Sequence, residues 1–165
     1  MTNIDNLAKS PFFDALQWIS EILIAKSIPF QVTGGLAARL YGATRELHDI
    51  DLDIPEDCFD KILPDVKPYI IFGPAHYQDE AFQVMLMTLD YQGIPIDVGG
   101  AYQTRVYDKS NSVWISAPAD FSKLKIVNLH GLDIPVVAKS DLVEYKKALA
   151  RDVDREDIRQ LSLIG

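Results

Sequence analysis

The chain has 165 residues, of which 48% are hydrophobic and 24% charged, and its formal net charge is −8. This composition is typical of a globular protein and excludes collagen, coiled coil and low-complexity disorder, and the length predicts a single domain over residues 1–165. The negative charge disfavours a general nucleic-acid binder, because such a protein needs a basic face to neutralise phosphates.

Helices and strands alternate along the first half of the chain. Ser10 followed by Pro11 is typical of a helix start, and apolar residues at helical spacing predict a helix that Pro29 ends. Strict alternation of aspartate with apolar residues predicts a strand over 48–54. The other elements predicted here are a strand at 30–32, a helix at 36–41 ended by Gly42, a helix at 56–63 and a strand at 69–72 ending at Gly73-Pro74.

The second half predicts a hairpin, further strands and two closing helices. Two strands, 81–91 and 94–98, are joined by the turn residues Gln92-Gly93. We expect a polar loop over 99–111, strands at 114–115, 124–129 and 134–137, a helix capped by Ser140 or Asp141, and a last helix over 152–163. This pattern predicts an α+β fold, a mixed β-sheet with helices packed against it, with its core over about 30–137 and C-terminal helices over 139–163.

Three aspartates share one face of the predicted strand 48–54. Asp49, Asp51 and Asp53 would be spaced by about 7 Å along the strand. Like charges so close repel one another, and a divalent cation held by their oxygens resolves that conflict. A solvated strand face is the alternative. Because aspartate is a poor strand former, three of them on one face favour the metal site.

Two glycines, Gly34 and Gly35, lie in the predicted turn between a strand and a helix. Glycines at such a turn let backbone N–H groups approach phosphate closely, and the start of a helix favours negative charge. The pair matches neither the Walker nor the dinucleotide-binding pattern, and an ordinary turn is the alternative.

A further aspartate, Asp97, lies between Ile96 and Val98 in the second strand of the predicted hairpin. An aspartate in an apolar strand is costly unless it is paired, hydrogen-bonded or a ligand. The alternative is that it marks the end of the strand at Gly99-Gly100.

Taken in order, these motifs resemble the nucleotidyltransferase superfamily that includes DNA polymerase beta and the antibiotic nucleotidyltransferases. The superfamily signature is Gly-Gly or Gly-Ser, a short helical spacer, Asp-x-Asp and a third carboxylate further on. The segment 34–51 is especially similar to a small bacterial branch that contains the lincosamide and the abortive-infection toxin nucleotidyltransferases. The run 140–146 with Arg151, Asp154 and Asp157 is similar to the closing helices of that branch.

The resemblance implies a nucleotidyltransferase-type mixed sheet and transfer of a nucleoside monophosphate from a nucleoside triphosphate, with release of pyrophosphate. It also implies two-metal chemistry, in which carboxylates hold two magnesium ions. The catalytic and metal-binding residues that it implies are Asp49, Asp51 and Asp97. The nucleotide-binding residues that it implies are Gly34, Gly35, Arg45 and Lys146.

The basic residues have alternative interpretations. Arg45 could contact phosphate, or it could simply neutralise Asp49 or Glu46. Arg151 could also contact phosphate, or it could form a structural ion-pair cluster with Asp154 and Asp157. Lys146 and Lys147 could be solvated residues on a helix face.

Two functions remain open at this point. The first is an active magnesium-dependent enzyme with a nucleoside triphosphate as donor and a small molecule, an RNA or a protein as acceptor. The alternative is a non-catalytic nucleotide- or partner-binding module, for example a toxin–antitoxin component. A homodimer or an antitoxin-like partner could complete the site.

The cellular setting follows from what the sequence lacks. No apolar stretch reaches the roughly 20 residues that span a bilayer, and the segment 1–10 has no apolar signal core. Cys58 is the single cysteine of the sequence, which excludes an internal disulfide and fits a reducing compartment. We therefore expect a cytoplasmic protein that does not enter the membrane.

Overall fold

The computed structural model describes residues 3–164, which form six α-helices and nine β-strands. The helices are α1 (Asn3–Ala8), α2 (Pro11–Ala25), α3 (Gly34–Leu40), α4 (Phe59–Val66), α5 (Lys139–Leu149) and α6 (Asp152–Leu163). The strands are β1 (Gln31–Thr33), β2 (Ile50–Ile54), β3 (Ile70–Gln78), β4 (Phe82–Tyr91), β5 (Ile94–Gly100), β6 (Arg105–Asp108), β7 (Val113–Ser116), β8 (Lys125–Leu129) and β9 (Leu132–Val136). The predicted α+β fold is confirmed.

All nine strands of the described range belong to one mixed sheet. Eight follow the order β7-β6-β4-β5-β2-β1-β9-β8, and β3 pairs with β4 outside this path. The pairs β2–β5 and β1–β9 are parallel, and the remaining pairs are antiparallel. The parallel pair β2–β5 brings together two strands that are far apart in the chain.

The main hydrophobic core includes the apolar face of β2. Ile50, Leu52 and Ile54 of β2 are at most 1% exposed and belong to the same cluster as Leu16 and Ile19 of α2. Helix α2, which precedes 30–137, therefore contributes to this hydrophobic core. Because successive side chains of a strand alternate, burial of the apolar residues of β2 turns its aspartates to the opposite face.

Several local predictions differ from the structure, beginning with strand β2, which starts at Ile50 rather than at residue 48. Strand β3 continues past Gly73-Pro74 with an irregular register, which is tolerated because β3 pairs with one strand only. The expected loop 99–111 contains β6, whose only buried side chain is that of Val106. Helix α5 has Ala138 at its N-cap, so neither Ser140 nor Asp141 caps it.

The described helices are all too short or too polar to cross a membrane.

Candidate active site

Three carboxylates meet beside the parallel pair β2–β5. Asp51 lies directly opposite Asp97 across the two strands. Asp49 is the last residue before β2, which begins at Ile50. One oxygen of each carboxylate lies within 4.8 Å of the other two, and all three residues are half-buried. Within residues 3–164 no other cluster of three metal-ligating side chains is found. Oxygen ligands in such an arrangement suit a hard divalent cation.

The electrostatics of the cluster favour a bound cation. Burial raises the pKa of Asp51 well above its ordinary value, and the negative charges of Asp49 and Asp97 raise it further. Burial also raises the pKa of Asp49, with the charge of Asp97 as the second cause. A divalent cation would relieve this repulsion and favour the ionised carboxylates, so the residues fit a magnesium site.

A hydroxyl holds the third carboxylate in place. Thr88 of β4 lies opposite Asp97, and its Oγ1 donates a hydrogen bond of 2.6 Å to Asp97 Oδ1. Residues in register continue this row across five neighbouring strands, spaced by about 4.8 Å per strand. From β1 to β3 the row runs Thr33, Asp51, Asp97, Thr88 and Phe72.

Both glycines of the predicted turn are in close contact with residues of the site. Gly34 has a φ of +64°, and a methyl group there would overlap the carboxylate of Asp51. A methyl group on Gly35 would lie 2.7 Å from Nη2 of Arg45. The backbone of this turn therefore lies directly against a predicted metal ligand and a predicted phosphate ligand, where a side chain has no room.

The basic residues form an ion-pair network with the closing helix. Arg45 donates to Asp157 through Nε and Nη2, at 2.9 Å each, and Lys146 Nζ lies 2.9 Å from the same carboxylate. Lys146 is 1% exposed, so it is not a solvated residue. Arg151 pairs with Asp154 at 2.7 Å. The pair with Asp154 is one part of the ion-pair cluster expected as the alternative for Arg151, and the same network also includes Arg45 and Lys146.

A cleft of about 610 Å³ contains all these groups. The seven residues predicted from the sequence to form the site line it together: Gly34, Gly35, Arg45, Asp49, Asp51, Asp97 and Lys146. They come from α3, the segment before β2, β2 itself, β5 and α5. The sheet and helix α5 thus contribute residues to one cleft.

Sequence reasoning missed the aromatic residues at the β3 side of the cleft. Phe72 and Tyr77 both line it, with ring centroids 6.1 Å apart, and both are more than one third exposed. The hydroxyl of Tyr77 donates to Asp79 Oδ2 at 2.9 Å, which fixes the direction of the ring. Isolated aromatic residues in a strand are ordinary, so no sequence signal separated them from packing residues.

Asp53 is separate from the metal cluster. Its Oδ2 accepts a hydrogen bond of 2.8 Å from Gln31 Nε2, and burial raises its pKa to about 7 although this hydrogen bond lowers it. A second cavity of about 490 Å³ adjoins the cleft, and Asp53, Thr104 and Tyr145 line both. The third aspartate of the predicted strand therefore lies at the boundary between two cavities.

Proteins of known structure have the same fold. The chain is similar to TM1012 of Thermotoga maritima, assigned as a nucleotidyltransferase, with 24% identity, 92% of each chain covered and a TM-score of 0.72. It is also similar to the lincosamide antibiotic adenylyltransferase LnuA in its lincomycin-bound form, with 15% identity, a TM-score of 0.62 and 91% and 96% of the two chains covered. For ANT(2″)-Ia in complex with adenylyl-2″-tobramycin the identity is 14%, the TM-score 0.64 and the coverage 94% and 91%.

The likeness to these structures shows the nucleotidyltransferase fold, as the resemblance in the sequence predicted. The profile of the aminoglycoside-2″-adenylyltransferase family matches residues 15–161. This match spans most of the chain, and the chain belongs to this family. A search among curated proteins gives no match.

Proposed function

We propose that this protein transfers a nucleoside monophosphate from a nucleoside triphosphate to a hydroxyl group of an acceptor, with magnesium as the cofactor. The acceptor oxygen forms a bond to the α-phosphorus, the bond from this phosphorus to the bridging oxygen breaks, and pyrophosphate leaves with the electron pair. The observation that carries the proposal is the three-carboxylate cluster in direct contact with the glycine turn.

The carboxylates would have distinct roles. Asp49, Asp51 and Asp97 would hold two magnesium ions, which when bound neutralise the triphosphate and lower the pKa of the acceptor hydroxyl. We assign Asp97 as the group that accepts the hydroxyl proton. Oδ1 of that carboxylate accepts the hydrogen bond from Thr88, so Oδ2 would be the oxygen that accepts the proton.

The nucleotide would lie on the β1 side of the cluster. The backbone N–H groups of Gly34 and Gly35 are accessible there because neither residue has a side chain. Arg45 lies against Gly35, and Lys146 lines the same cleft. Together they would bring positive charge to the β- and γ-phosphates, which become the leaving pyrophosphate.

The position of the leaving group determines where the acceptor enters. The attacking and leaving oxygens lie roughly in line across the phosphorus. With pyrophosphate beside Gly34, the acceptor approaches from the Asp97 side, towards Phe72 and Tyr77. The exposed carboxylate of Asp79 at that end suits an acceptor with an amino group.

We propose a small molecule as the acceptor. A net charge of −8 disfavours a polyanionic RNA. The family is named for aminoglycosides, and two similar structures contain lincomycin and adenylyl-tobramycin. Tobramycin and lincomycin are therefore the first acceptors to assay.

Calorimetric titration with each of the four nucleoside triphosphates, with and without magnesium, tests the donor site. We expect magnesium-dependent binding that Asp49→Asn abolishes and Asp60→Asn preserves, since Asp60 is exposed on α4, outside the cleft. Pyrophosphate release is then measured with tobramycin and with lincomycin. Absence of triphosphate binding would reject the proposal. Triphosphate binding without pyrophosphate release in the presence of either acceptor would favour a non-catalytic nucleotide-binding module.

A further inference from the structure

One carboxylate of α6 connects two of the basic residues in the cleft. Asp157 accepts from Nε of Arg45 through Oδ1 and from Nη2 through Oδ2, and Oδ2 also lies 2.9 Å from Lys146 Nζ. Lys146 continues to Asp154 at 3.5 Å, and Asp154 pairs with Arg151. The network thus runs Arg45–Asp157–Lys146–Asp154–Arg151 from the segment before β2 to the junction of the two last helices.

The centre of the network is buried, and the charges of the network do not cancel. Asp154 and Asp157 are at most 1% exposed, as is Lys146. Three cations share two carboxylates, so the network as a whole carries a net charge of +1. All three cations line the catalytic cleft, and neither carboxylate does. The positive side of the network therefore faces the cleft, and its negative side faces the protein interior.

Arg45 is held where a phosphate would be. Its Nη2 lies so close to Gly35 that a methyl group there would be 2.7 Å away. A two-point contact between guanidinium and carboxylate fixes the plane as well as the position of the guanidinium. Hydrogen bonds from Arg45 and Lys146 lower the pKa of Asp157 in spite of its burial, so the anion that holds them persists at neutral pH.

We propose that Asp157 is a positioning residue for triphosphate binding, which acts by holding the guanidinium of Arg45 over Gly35. This inference rests on the proposed nucleotide site. A cation that is already oriented loses less conformational freedom when the phosphate arrives, and binding is tighter for that reason. The last helix thereby contributes to the nucleotide site without touching the nucleotide.

Two other roles of Asp157 make different predictions. If it only stabilises the fold, its removal lowers the melting temperature and leaves the affinity of the folded protein for triphosphate unchanged. If it competes with phosphate for Arg45, its removal tightens binding, since the cation is released. The positioning role alone predicts weaker binding by folded protein.

The test compares Asp157→Asn, Arg45→Met and the double variant in calorimetric titrations with Mg-ATP and with magnesium tripolyphosphate. Measurements are made well below each melting temperature, so that all the protein is folded. Glu156→Gln is the matched control. Glu156 is the neighbouring acid on α6 and, like Asp157, pairs with an arginine, in its case Arg159, but both members of this pair lie outside the cleft. The double variant has the same net charge in the network as the wild type, whereas Asp157→Asn alone adds one positive charge.

We expect Asp157→Asn to weaken binding of both ligands by on the order of tenfold, and the double variant to bind no more weakly than Arg45→Met alone. Equal or tighter binding by Asp157→Asn would overturn the inference, as would additive effects in the double variant. If Asp157→Asn does not fold, Asp157→Glu takes its place. It keeps the charge but displaces the carboxylate, and unchanged affinity in that variant would likewise overturn the inference.

A wild-type protein that binds neither ligand would reject the nucleotide site itself and this inference with it. A wild-type protein that binds both, with Asp157→Asn unchanged, rejects the role of Asp157 alone.

Discussion

Asp97 lies directly opposite Asp51 across the parallel strands β5 and β2, and this single register pair builds the metal cluster. A shift of one residue would turn Asp97 to the apolar face, because side chains alternate along a strand. Buried Leu52 and Val98 pair one position further along, so packing of the core specifies the register of the carboxylates.

Asp51→Asn is expected to abolish the response to magnesium and to stabilise the metal-free protein. Its pKa is raised by burial and by neighbouring carboxylates, so the ionised side chain opposes folding at neutral pH. We expect a higher melting temperature than the wild type in chelator, no shift on addition of magnesium, and turnover lower by about a hundredfold or more. Thermal denaturation with and without magnesium measures the melting temperature and its shift on addition of magnesium. Asp60→Asn should behave as the wild type, and a magnesium shift that persists in Asp51→Asn would contradict the metal site.

Thr88→Val is expected to lower kcat by about tenfold to a hundredfold while the affinity for Mg-ATP changes little. The variant keeps the shape of the side chain but removes the hydrogen bond that orients Asp97. Thr88→Ser keeps the hydroxyl and should retain most activity. The kcat of both variants is measured by steady-state kinetics, with an acceptor that has first been identified by pyrophosphate release. Equal activity of the valine and serine variants would show that the hydrogen bond has no role in catalysis.

Gly34→Ala is expected to disrupt the site more than Gly93→Ala does. Both residues have a positive φ, +64° and +87°, so each substitution costs about 1 kcal/mol or more in backbone strain. Only at Gly34 does the added methyl group meet the carboxylate of Asp51, whereas nothing lies within 4 Å at Gly93. We expect a larger loss of stability in Gly34→Ala than in Gly93→Ala, because the overlap with Asp51 adds to the backbone strain, and loss of Mg-ATP binding in Gly34→Ala alone, measured by calorimetry. Normal nucleotide binding by Gly34→Ala would contradict the close approach.

Asp53→Asn is expected to make stability less dependent on pH. The folded-state pKa of about 7 lies above the ordinary value of 3.8, so this carboxyl contributes stability that is present below about pH 4 and is lost as pH rises through 7. A shift of about three units corresponds to an upper limit on the order of 4 kcal/mol. In urea denaturation with chelator present, the variant and the wild type should be similarly stable near pH 4, and the variant should be more stable at pH 8. Parallel pH profiles would contradict the raised pKa.

Local sequence patterns predicted the strands and helices that are specified by a few consecutive residues. The alternation of aspartate with apolar residues predicted β2, and the glycine turn predicted the start of α3, because both patterns follow from the geometry of a few consecutive residues. Strand β6 was missed because it has one buried side chain, and a single apolar position does not form a pattern. The continuation of β3 past Gly73-Pro74 was missed because proline ends most strands that are paired on both sides.

The sequence by itself determined which chemical groups the site contains and in what order they occur, since residue types and short spacings specify carboxylates, glycine turns and helix starts. Only the tertiary structure decided their partners. Arg45 has acidic neighbours in the sequence, yet its guanidinium pairs with Asp157, more than a hundred positions away. Lys146 has the pattern of an exposed helix residue, yet it is buried between two carboxylates. Partners of this kind depend on strand order and helix docking, and these are set by burial of the whole apolar core rather than by any local pattern.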